Sequence, residues 1–246
     1  MLIAANWKMN GLRREGIDRA RSLAQLAAQN PVACGVLVCP PAHLLGEVRD
    51  ALDGSGIRLG GQDCHMAENG AHTGDIAAAM LADIGCSHVI VGHSERRADH
   101  GETDAVVSAK ATAAHAAGLH AVICVGESEA DRDAGNAADV VRRQLDGSIP
   151  DGASTGNTTI AYEPCWAIGT GRTPSTTEID EMHAAIHGFC EAKISQAQGA
   201  LHVLYGGSVK AGNAGEILGI EGVDGALVGG ASLIADEFWA ICQAGA

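Results

Sequence analysis

Residues 158–207 read TTIAYEPCWAIGTGRTPSTTEIDEMHAAIHGFCEAKISQAQGALHVLYGG. Thr158–Glu163 has the apolar, β-branched character of a buried strand, and His202–Gly206 is of the same kind. Thr176 or Thr177 is placed to cap a helix between them, in which apolar residues recur at helical spacing: Ile179, Met182, Ile186, Phe189 and Cys190. Two strands joined through such a helix run parallel, so the stretch predicts one right-handed β-α-β unit.

The same alternation recurs along the chain. Eight apolar runs are predicted to be strands: Leu2–Lys8, Gly35–Cys39, Ile57–Gln62, Ser87–His93, His120–Val125, Thr158–Glu163, His202–Gly206 and Gly225–Gly229. Further helices are predicted between them, at Arg14–Gln29, Ala42–Leu52, Ile76–Ile84, Ala105–Ala117, Val140–Leu145, Val209–Leu218 and Asp236–Gln243. Gly118 and Gly147 follow two of these helices, where a left-handed residue is preferred.

Eight strand-helix repeats in 246 residues average about 31 residues each, the size of one β-α unit in a parallel sheet. An open doubly wound sheet is the alternative, but such sheets usually divide into two halves, and no proline-, serine- or charge-rich linker divides this chain. The sequence therefore predicts one domain, residues 1–246, folded as a closed parallel (β/α)8 barrel. The active site of such a barrel lies at the C-terminal ends of its strands.

The composition limits the classes of partner. The formal net charge of −14 has the wrong sign for general affinity to nucleic acid or to an anionic membrane. The apolar runs are far shorter than the roughly 20 residues that span a bilayer, and Met1–Met9 lacks the pattern of a signal peptide. The eight cysteines are scattered without a CxxC pair, so we expect free thiols and a cytoplasmic chain.

Two predicted strands end in groups that suit an anionic substrate. Lys8 either extends its ammonium group to solvent, binds an anion, or forms a Schiff base. His93 precedes a predicted helix N-terminus, whose positive dipole disfavours the imidazolium ion, so we expect a neutral ring that donates to an oxyanion. Glu95, in the first turn of that helix, is a catalytic group, a cap or a partner of Lys8.

Glu163 ends a third strand, where a carboxylate is costly to bury unless it has a function or pairs with an arginine. Partial burial is expected to raise its pKa and to make it a better general base. The glycine-bearing segment behind it, Cys165–Gly171, has the composition of a mobile lid.

Clusters of small residues follow the last three predicted strands, at Gly169–Gly171, Gly206–Ser208 and Gly229–Gly230. Such segments expose backbone N–H groups. The loops after strands seven and eight of a barrel, with a short helix that is expected here near Ala231, form the usual site for a phosphate. We therefore expect a phosphate dianion to be bound locally in spite of the negative net charge.

Six motifs spread over the whole chain resemble those of the triosephosphate isomerase family of TIM-barrel enzymes. They are NWK at 6–8, VGHSERR at 91–97, AYEP at 161–164, WAIGTG at 166–171, YGGSV at 205–209 and LVGGASL at 227–233. The resemblance implies that the chain interconverts dihydroxyacetone phosphate and D-glyceraldehyde 3-phosphate through an enediolate. It also implies that neither a metal nor an organic cofactor is required.

The resemblance implies roles for the residues at matching positions. Glu163 is implied to move the proton as the base, and His93 to act as the neutral electrophile, which is the pairing known for this family. Lys8 is implied as the third catalytic residue. Glu95 and Cys124 are implied to support these groups from behind. The implied substrate-binding residues are Asn6, Lys8, Gly169, Ser208, Gly229 and Gly230.

The third loop, Gln62–Ile76, resembles the loop with which family members contact a partner subunit, so a homodimer is implied. Its segment 70–74, GAHTG, is too polar and too rich in glycine to pack on its own barrel. His72 and Asp75 stand where the family usually has an aromatic residue and a glutamate, and Asp63 stands in place of a common asparagine.

Two other functions match parts of the pattern. A Schiff-base aldolase on the same barrel would use Lys8 as its nucleophile, and a non-catalytic sugar-phosphate-binding barrel would keep only the glycine loops. Glu163 and His93 favour the isomerase, because proton transfer needs no covalent step and a binding protein needs no base.

Overall fold

The computed structural model describes residues 1–167, 173–197 and 199–245. Eight parallel strands close into a barrel in sequence order, with the last strand paired to the first. The order follows from right-handed β-α connections, which put each strand beside the one before it. The predicted closed (β/α)8 barrel is confirmed. Its strands are β1 Leu2–Asn6, β2 Gly35–Cys39, β3 Arg58–Gly61, β4 His88–Val91, β5 His120–Val125, β6 Thr158–Tyr162, β7 Val203–Tyr205 and β8 Gly225–Val228.

The α-helices of the described residues are α1 Arg13–Gln29, α2 Leu45–Leu52, α3 Ala78–Asp83, α4 Ser94–His100, α5 Asp104–Ala116, α6 Glu129–Asp133, α7 Ala137–Ser148, α8 Thr176–Lys193, α9 Ala214–Leu218 and α10 Ala235–Ala244. Short 3-10 turns lie at Ala42–Leu44, Cys165–Ala167 and Gly230–Leu233. The short polar helix α6 was not predicted, because it has no apolar periodicity. None of the described helices is long and apolar enough to cross a membrane.

The strands are buried on both faces. Successive side chains alternate between the barrel interior and the layer under the helices. Residues such as Ile3, Val38 and Ile123 belong to the outer layer. The interior is filled by a second cluster of Leu2, Ala4, Leu37, Cys39, Ile90, Val122, Cys124, Ala161, Leu204 and Leu227. This double burial is the reason why the strands read as continuous apolar runs.

Two strands end two residues earlier than predicted, and both endings place side chains of the candidate site. β1 ends at Asn6 rather than at Lys8, and Lys8 has φ +51°, a left-handed conformation that is rare outside glycine. β4 ends at Val91 rather than at His93, because Gly92 has φ +68°. The chain thus leaves the hydrogen-bonded sheet before it reaches Lys8 and His93. The other strand boundaries lie within one residue of prediction.

The start of α8 differs in detail from the prediction. Ser175 caps the helix, rather than Thr176 or Thr177. Its Oγ accepts the N–H of Glu178 at 3.3 Å, and Oε2 of Glu178 accepts the N–H of Ser175 at 2.8 Å. This reciprocal capping box satisfies two backbone donors at once, which a single threonine cap would not do.

The predicted ends of α7, which runs from Ala137 to Ser148, and the predicted start of α9 were also wrong. Gly147 lies inside α7, where a Cβ atom would come within 2.6 Å of the Cβ of Asp104. Gly147 therefore permits close packing of α7 on the start of α5. Gly118, by contrast, follows its helix in the left-handed conformation that was predicted, with φ +75°. α9 begins at Ala214 rather than at Val209, because a hydrogen-bonded turn occupies the residues between.

Two buried histidines and one half-buried histidine make the stability of the fold depend on pH. Burial lowers the pKa of His88 to about 3 and the pKa values of His120 and His183 to about 4. Below about pH 6.5 the unfolded chain takes up protons at these positions while the folded chain does not. The free energy of unfolding is therefore expected to fall as the pH drops from about 6.5 towards 4, by up to about 1.4 kcal/mol per pH unit for each histidine.

Denaturant titrations between about pH 6.5 and pH 5 measure this slope. We expect His120→Gln to have a slope shallower by about 1 kcal/mol per pH unit, because glutamine does not titrate and still reaches towards Thr159 Oγ1, 2.8 Å from the histidine Nε2. His43→Gln, on the surface, is the matched control and should keep the wild-type slope. A free energy of unfolding that stays constant over this range would contradict the prediction.

Candidate active site

The C-terminal ends of the strands surround a cavity of about 470 Å³, a size typical of small-molecule sites. Residues predicted from five different strand ends line this one cavity: Asn6, Lys8, His93, Glu163, Ser208, Gly229 and Gly230. The predicted contact Gly169 and the rest of the predicted lid from residue 168 to residue 171 lie outside the described residues.

Glu163 directly follows β6, and only 2% of its surface is exposed. Its Oε2 accepts the N–H of Ser94 at 2.9 Å, and its Oε1 lies 2.8 Å from Nε2 of His93. Its partners are therefore a backbone amide and an imidazole from the β4 end of the barrel. Among the described residues no arginine pairs with this carboxylate, which removes the alternative role as an arginine partner.

The ionisation of Glu163 differs from the prediction. Burial by itself would raise the pKa of Glu163, as the sequence suggested. The hydrogen bond from His93, the N–H of Ser94 and the charge of Lys8 act in the opposite direction and outweigh burial, so the pKa of Glu163 is lowered. The site thus holds an ionised carboxylate, which loses these stabilising donors when it moves away from them.

His93 is the N-cap residue of α4, and its hydrogen bonds define its tautomer. Nδ1 accepts the N–H of Glu95 at 3.2 Å, so this nitrogen carries a lone pair. The ring proton is then on Nε2, which faces Glu163. A doubly protonated ring has no acceptor to offer at Nδ1, so the geometry favours the neutral imidazole that the sequence suggested.

Lys8 is fixed at both its side chain and its backbone. Nζ donates to Oε1 of Glu95 at 2.6 Å, so ion pairing is the role that this geometry gives Glu95. The Lys8 N–H donates to Oδ1 of Asn6 at 3.0 Å, and the Lys8 carbonyl oxygen accepts from Nε2 of Gln62 at 2.9 Å. These two bonds hold the left-handed conformation of Lys8, which keeps its ammonium group at the cavity.

Two glycines make room for Glu163. A Cβ atom at position 126 would lie 1.7 Å from the carbonyl oxygen of Glu163, and one at Gly206 would lie 2.8 Å from the Cγ of Glu163. Sequence reasoning assigned Gly206 to the phosphate site and missed Gly126, because the close approach of two separate loops leaves no local pattern. Cys124 is fully buried in the barrel interior, and burial and the nearby charge of Glu163 raise the pKa of its thiol.

Glu127, just after β5, is a site residue that sequence reasoning missed. It is fully buried, and its Oε1 accepts from Oη of Tyr162 at 3.0 Å and from Nε1 of Trp166 at 2.7 Å. Arg132 lies 3.5 Å from the same oxygen. Glu127 thereby joins β6 and the start of the lid to the end of β5. The signal was present, since this carboxylate follows an apolar strand just as Glu163 does.

The segments after β7 and β8, for which phosphate binding was predicted, contribute Ser208, Gly229 and Gly230 to the lining of the cavity. The helix expected near Ala231 is a 3-10 turn over Gly230–Leu233. The first N–H groups of such a turn have no partner within it and are available to an anion.

Comparisons with known proteins agree with this geometry. A family model described as triosephosphate isomerase matches residues 1–245. The triosephosphate isomerase of Afipia carboxidovorans is 55% identical, covering 99% of this chain and 96% of that protein, and that of Bradyrhizobium diazoefficiens is 50% identical, covering 98% and 96%. The crystal structure of triosephosphate isomerase from Bartonella henselae matches with a TM-score of 0.90 and 46% identity, covering 99% of this chain and 98% of that one. The chain therefore belongs to the triosephosphate isomerase family.

Proposed function

We propose that Glu163, His93 and Lys8 are the catalytic residues of this isomerase, which interconverts dihydroxyacetone phosphate and D-glyceraldehyde 3-phosphate by proton transfer through an enediolate. The observation that carries the proposal is the placement of an ionised carboxylate 2.8 Å from the protonated nitrogen of a neutral imidazole, in one cavity with a lysine. A base and a hydrogen-bond donor are what proton abstraction next to a carbonyl requires.

The reaction begins when the Glu163 carboxylate leaves the N–H of Ser94 and takes a proton from the carbon beside the substrate carbonyl. Without its donors the buried carboxylate becomes more basic, which favours this step. The Nε2–H of His93 donates to the carbonyl oxygen and stabilises the negative charge that develops there. The hydroxyl proton then passes from the oxygen that becomes the new carbonyl to the oxygen of the former carbonyl, and Glu163 returns its proton to the neighbouring carbon, so that the ketose becomes the aldose or the reverse.

The remaining residues bind the substrate in this proposal. Lys8 offsets the negative charge of the phosphate and of the enediolate, and Asn6 fixes the backbone from which Lys8 extends. Ser208, Gly229 and Gly230 offer backbone N–H groups to the phosphate. Gly169 is included on the strength of the family motif that contains it.

Neither alternative function has support from the family relationship. A Schiff base needs an uncharged amine, whereas the Lys8 ammonium group is in an ion pair with Glu95 at 2.6 Å. A binding protein has no use for the buried carboxylate of Glu163.

The proposed chemistry is tested by following hydrogen exchange during turnover. The purified protein, incubated with either triose phosphate in deuterated water, should interconvert the two substrates and place solvent deuterium on the carbon beside the carbonyl. Borohydride should trap no substrate on Lys8. Interconversion without any deuterium uptake, or a stable adduct on Lys8, would contradict proton transfer through Glu163.

We infer that the chain forms a homodimer through the third loop, Gln62–Ile76. Residues 68–75 are exposed throughout, and the apolar side chain of Met9, next to Lys8 in the chain, is 95% exposed, so both are accessible to a partner. Asp63 anchors the base of the loop, because its carboxylate accepts from Lys110 at 2.7 Å and lies 3.0 Å from Arg96. The charge of Asp63 is thus already compensated within its own subunit.

Light scattering at micromolar concentration is expected to give twice the mass of one chain. Thr73→Arg, at the exposed tip of the loop, should shift the protein towards the monomer, because a long charged side chain obstructs a fitted interface. Thr177→Arg, on the exposed start of α8, is the control and should remain dimeric. A fully active wild-type monomer would overturn this assignment.

We further infer that residues 1–246 form one domain and that the chain works in the cytoplasm without a nucleic-acid or membrane partner. The pairing of β1 with β8 joins both ends of the chain in one sheet. All eight cysteines are free, as is usual in a reducing compartment. The net charge of −14 disfavours polyanionic partners.

A further inference from the structure

Two cysteines from opposite ends of the chain meet at the end of the barrel that lies away from the active site. Cys34 immediately precedes β2, and Cys242 lies in the last turn of α10. The Cys34 thiol donates to the carbonyl oxygen of Cys242 at 3.3 Å. Nε1 of Trp239 donates to the carbonyl oxygen of Asn30 at 3.0 Å, which holds α10 close to the segment that leads into Cys34.

The two thiols differ in exposure and in acidity. Cys34 is partly exposed, and Cys242 is fully buried. The neighbouring Cys242 thiol, as a donor to the Cys34 thiolate, lowers the pKa of Cys34 to about 7, against the effect of burial, and the same interaction raises the pKa of Cys242. The lowered pKa increases the fraction of Cys34 that is thiolate at neutral pH, and the thiolate is the form that reacts with oxidants.

The other cysteines lack this chemistry. Burial raises the pKa of Cys64, Cys86, Cys165 and Cys190 to about 12, so that they remain thiols at neutral pH and react slowly. Cys165 falls in the same class of partial exposure as Cys34. Exposure alone therefore does not distinguish Cys34, whereas its position against a second cysteine, Cys242, does.

We propose that Cys34 and Cys242 form a peroxide-sensitive pair that closes into a reversible disulfide joining β2 to α10. The Cys34 thiolate attacks a hydroperoxide, so that an S–O bond forms, the O–O bond breaks, and the leaving oxygen takes up a proton as water or an alcohol. The Cys242 thiol then attacks the sulfenic sulfur, the S–S bond forms, and water leaves with the thiol proton. The two electrons lost by the sulfurs reduce the peroxide, and a dithiol reductant reverses the reaction.

The test treats the full-length protein with hydrogen peroxide at an equimolar amount, digests it without reduction and maps the peptides by mass spectrometry. We expect a cross-link between the peptides that contain Cys34 and Cys242, with the loss of two hydrogens. Iodoacetamide at neutral pH should modify Cys34 at least about tenfold faster than any other cysteine. The oxidised enzyme should keep its isomerase activity and unfold at a temperature about 5 °C or more higher, until dithiothreitol reverses the shift.

Variants distinguish a disulfide between Cys34 and Cys242 from unspecific oxidation of the cysteines. Cys34→Ser and Cys242→Ala should each abolish the cross-link, and in Cys242→Ala the sulfenic acid on Cys34 should persist long enough for dimedone to trap it. Cys86→Ser is the control and should form the cross-link as the wild type does. Oxidation of wild-type Cys34 to sulfinic acid without a cross-link, or an exclusive cross-link between Cys34 residues of two molecules, would overturn the proposal.

Discussion

Glu163→Gln is expected to lower kcat by about 10²–10⁴-fold, while the protein still binds an inhibitor that carries a phosphate. The amide has the shape of the carboxylate and its oxygen still accepts the N–H of Ser94, 2.9 Å from Oε2. It accepts no proton from carbon, however, and its NH₂ group meets the protonated Nε2 of His93, donor against donor. The loss should therefore appear in turnover rather than in ground-state affinity.

Two further variants make this result specific. Glu163→Asp keeps the negative charge but has a side chain that is shorter by one methylene group. Turnover should therefore fall, while uptake of solvent deuterium by the substrate remains measurable. Glu237→Gln changes a carboxylate in the lining of the same cavity that has no contact with His93, and kcat should stay close to the wild-type value. Near-normal turnover in Glu163→Gln would exclude Glu163 as the base.

Lys8→Met is expected to weaken the binding of a phosphate-bearing inhibitor by about 10–100-fold and to lower kcat as well. Methionine fills most of the volume of the lysine stem but carries no charge. The carboxylate of Glu95, 2.6 Å from Nζ of Lys8, would lose this partner, and its negative charge would no longer be offset near the anionic substrate. Both the lost attraction and the new repulsion act on affinity.

The charge and the geometry of Lys8 are separated by two comparisons. Lys8→Arg should restore only part of the affinity, because the guanidinium is larger and forked, and Lys8 is held in a left-handed conformation that fixes the reach of its side chain. Lys193→Met removes a lysine that pairs with Asp146 at 2.8 Å outside the cavity and should bind the inhibitor as the wild type does. Unchanged affinity in Lys8→Met would exclude Lys8 as the electrostatic clamp.

Much of the candidate site was predictable because its residue types are unusual where they stand. Lys8, His93 and Glu163 each follow an apolar run, and the parallel barrel brings the ends of such runs to one face. The same rule would have found Glu127 after β5. Gly126 has no comparable signal in the sequence. Glycine is needed there because the backbone of Glu163, on another loop, comes too close for any side chain.

By itself the sequence determined the barrel and the identity of the groups at its mouth. Strand and helix assignments depend on side-chain periodicity and turn residues within a few positions, and consecutive right-handed units permit few other arrangements. Only the tertiary structure decided the state of those groups. The expected rise in the pKa of Glu163 was reversed by donors about 70 residues away, and the partner of Lys8 is 87 residues distant. Electrostatic energies depend on distances of a few ångströms between such atoms, and local sequence does not contain those distances.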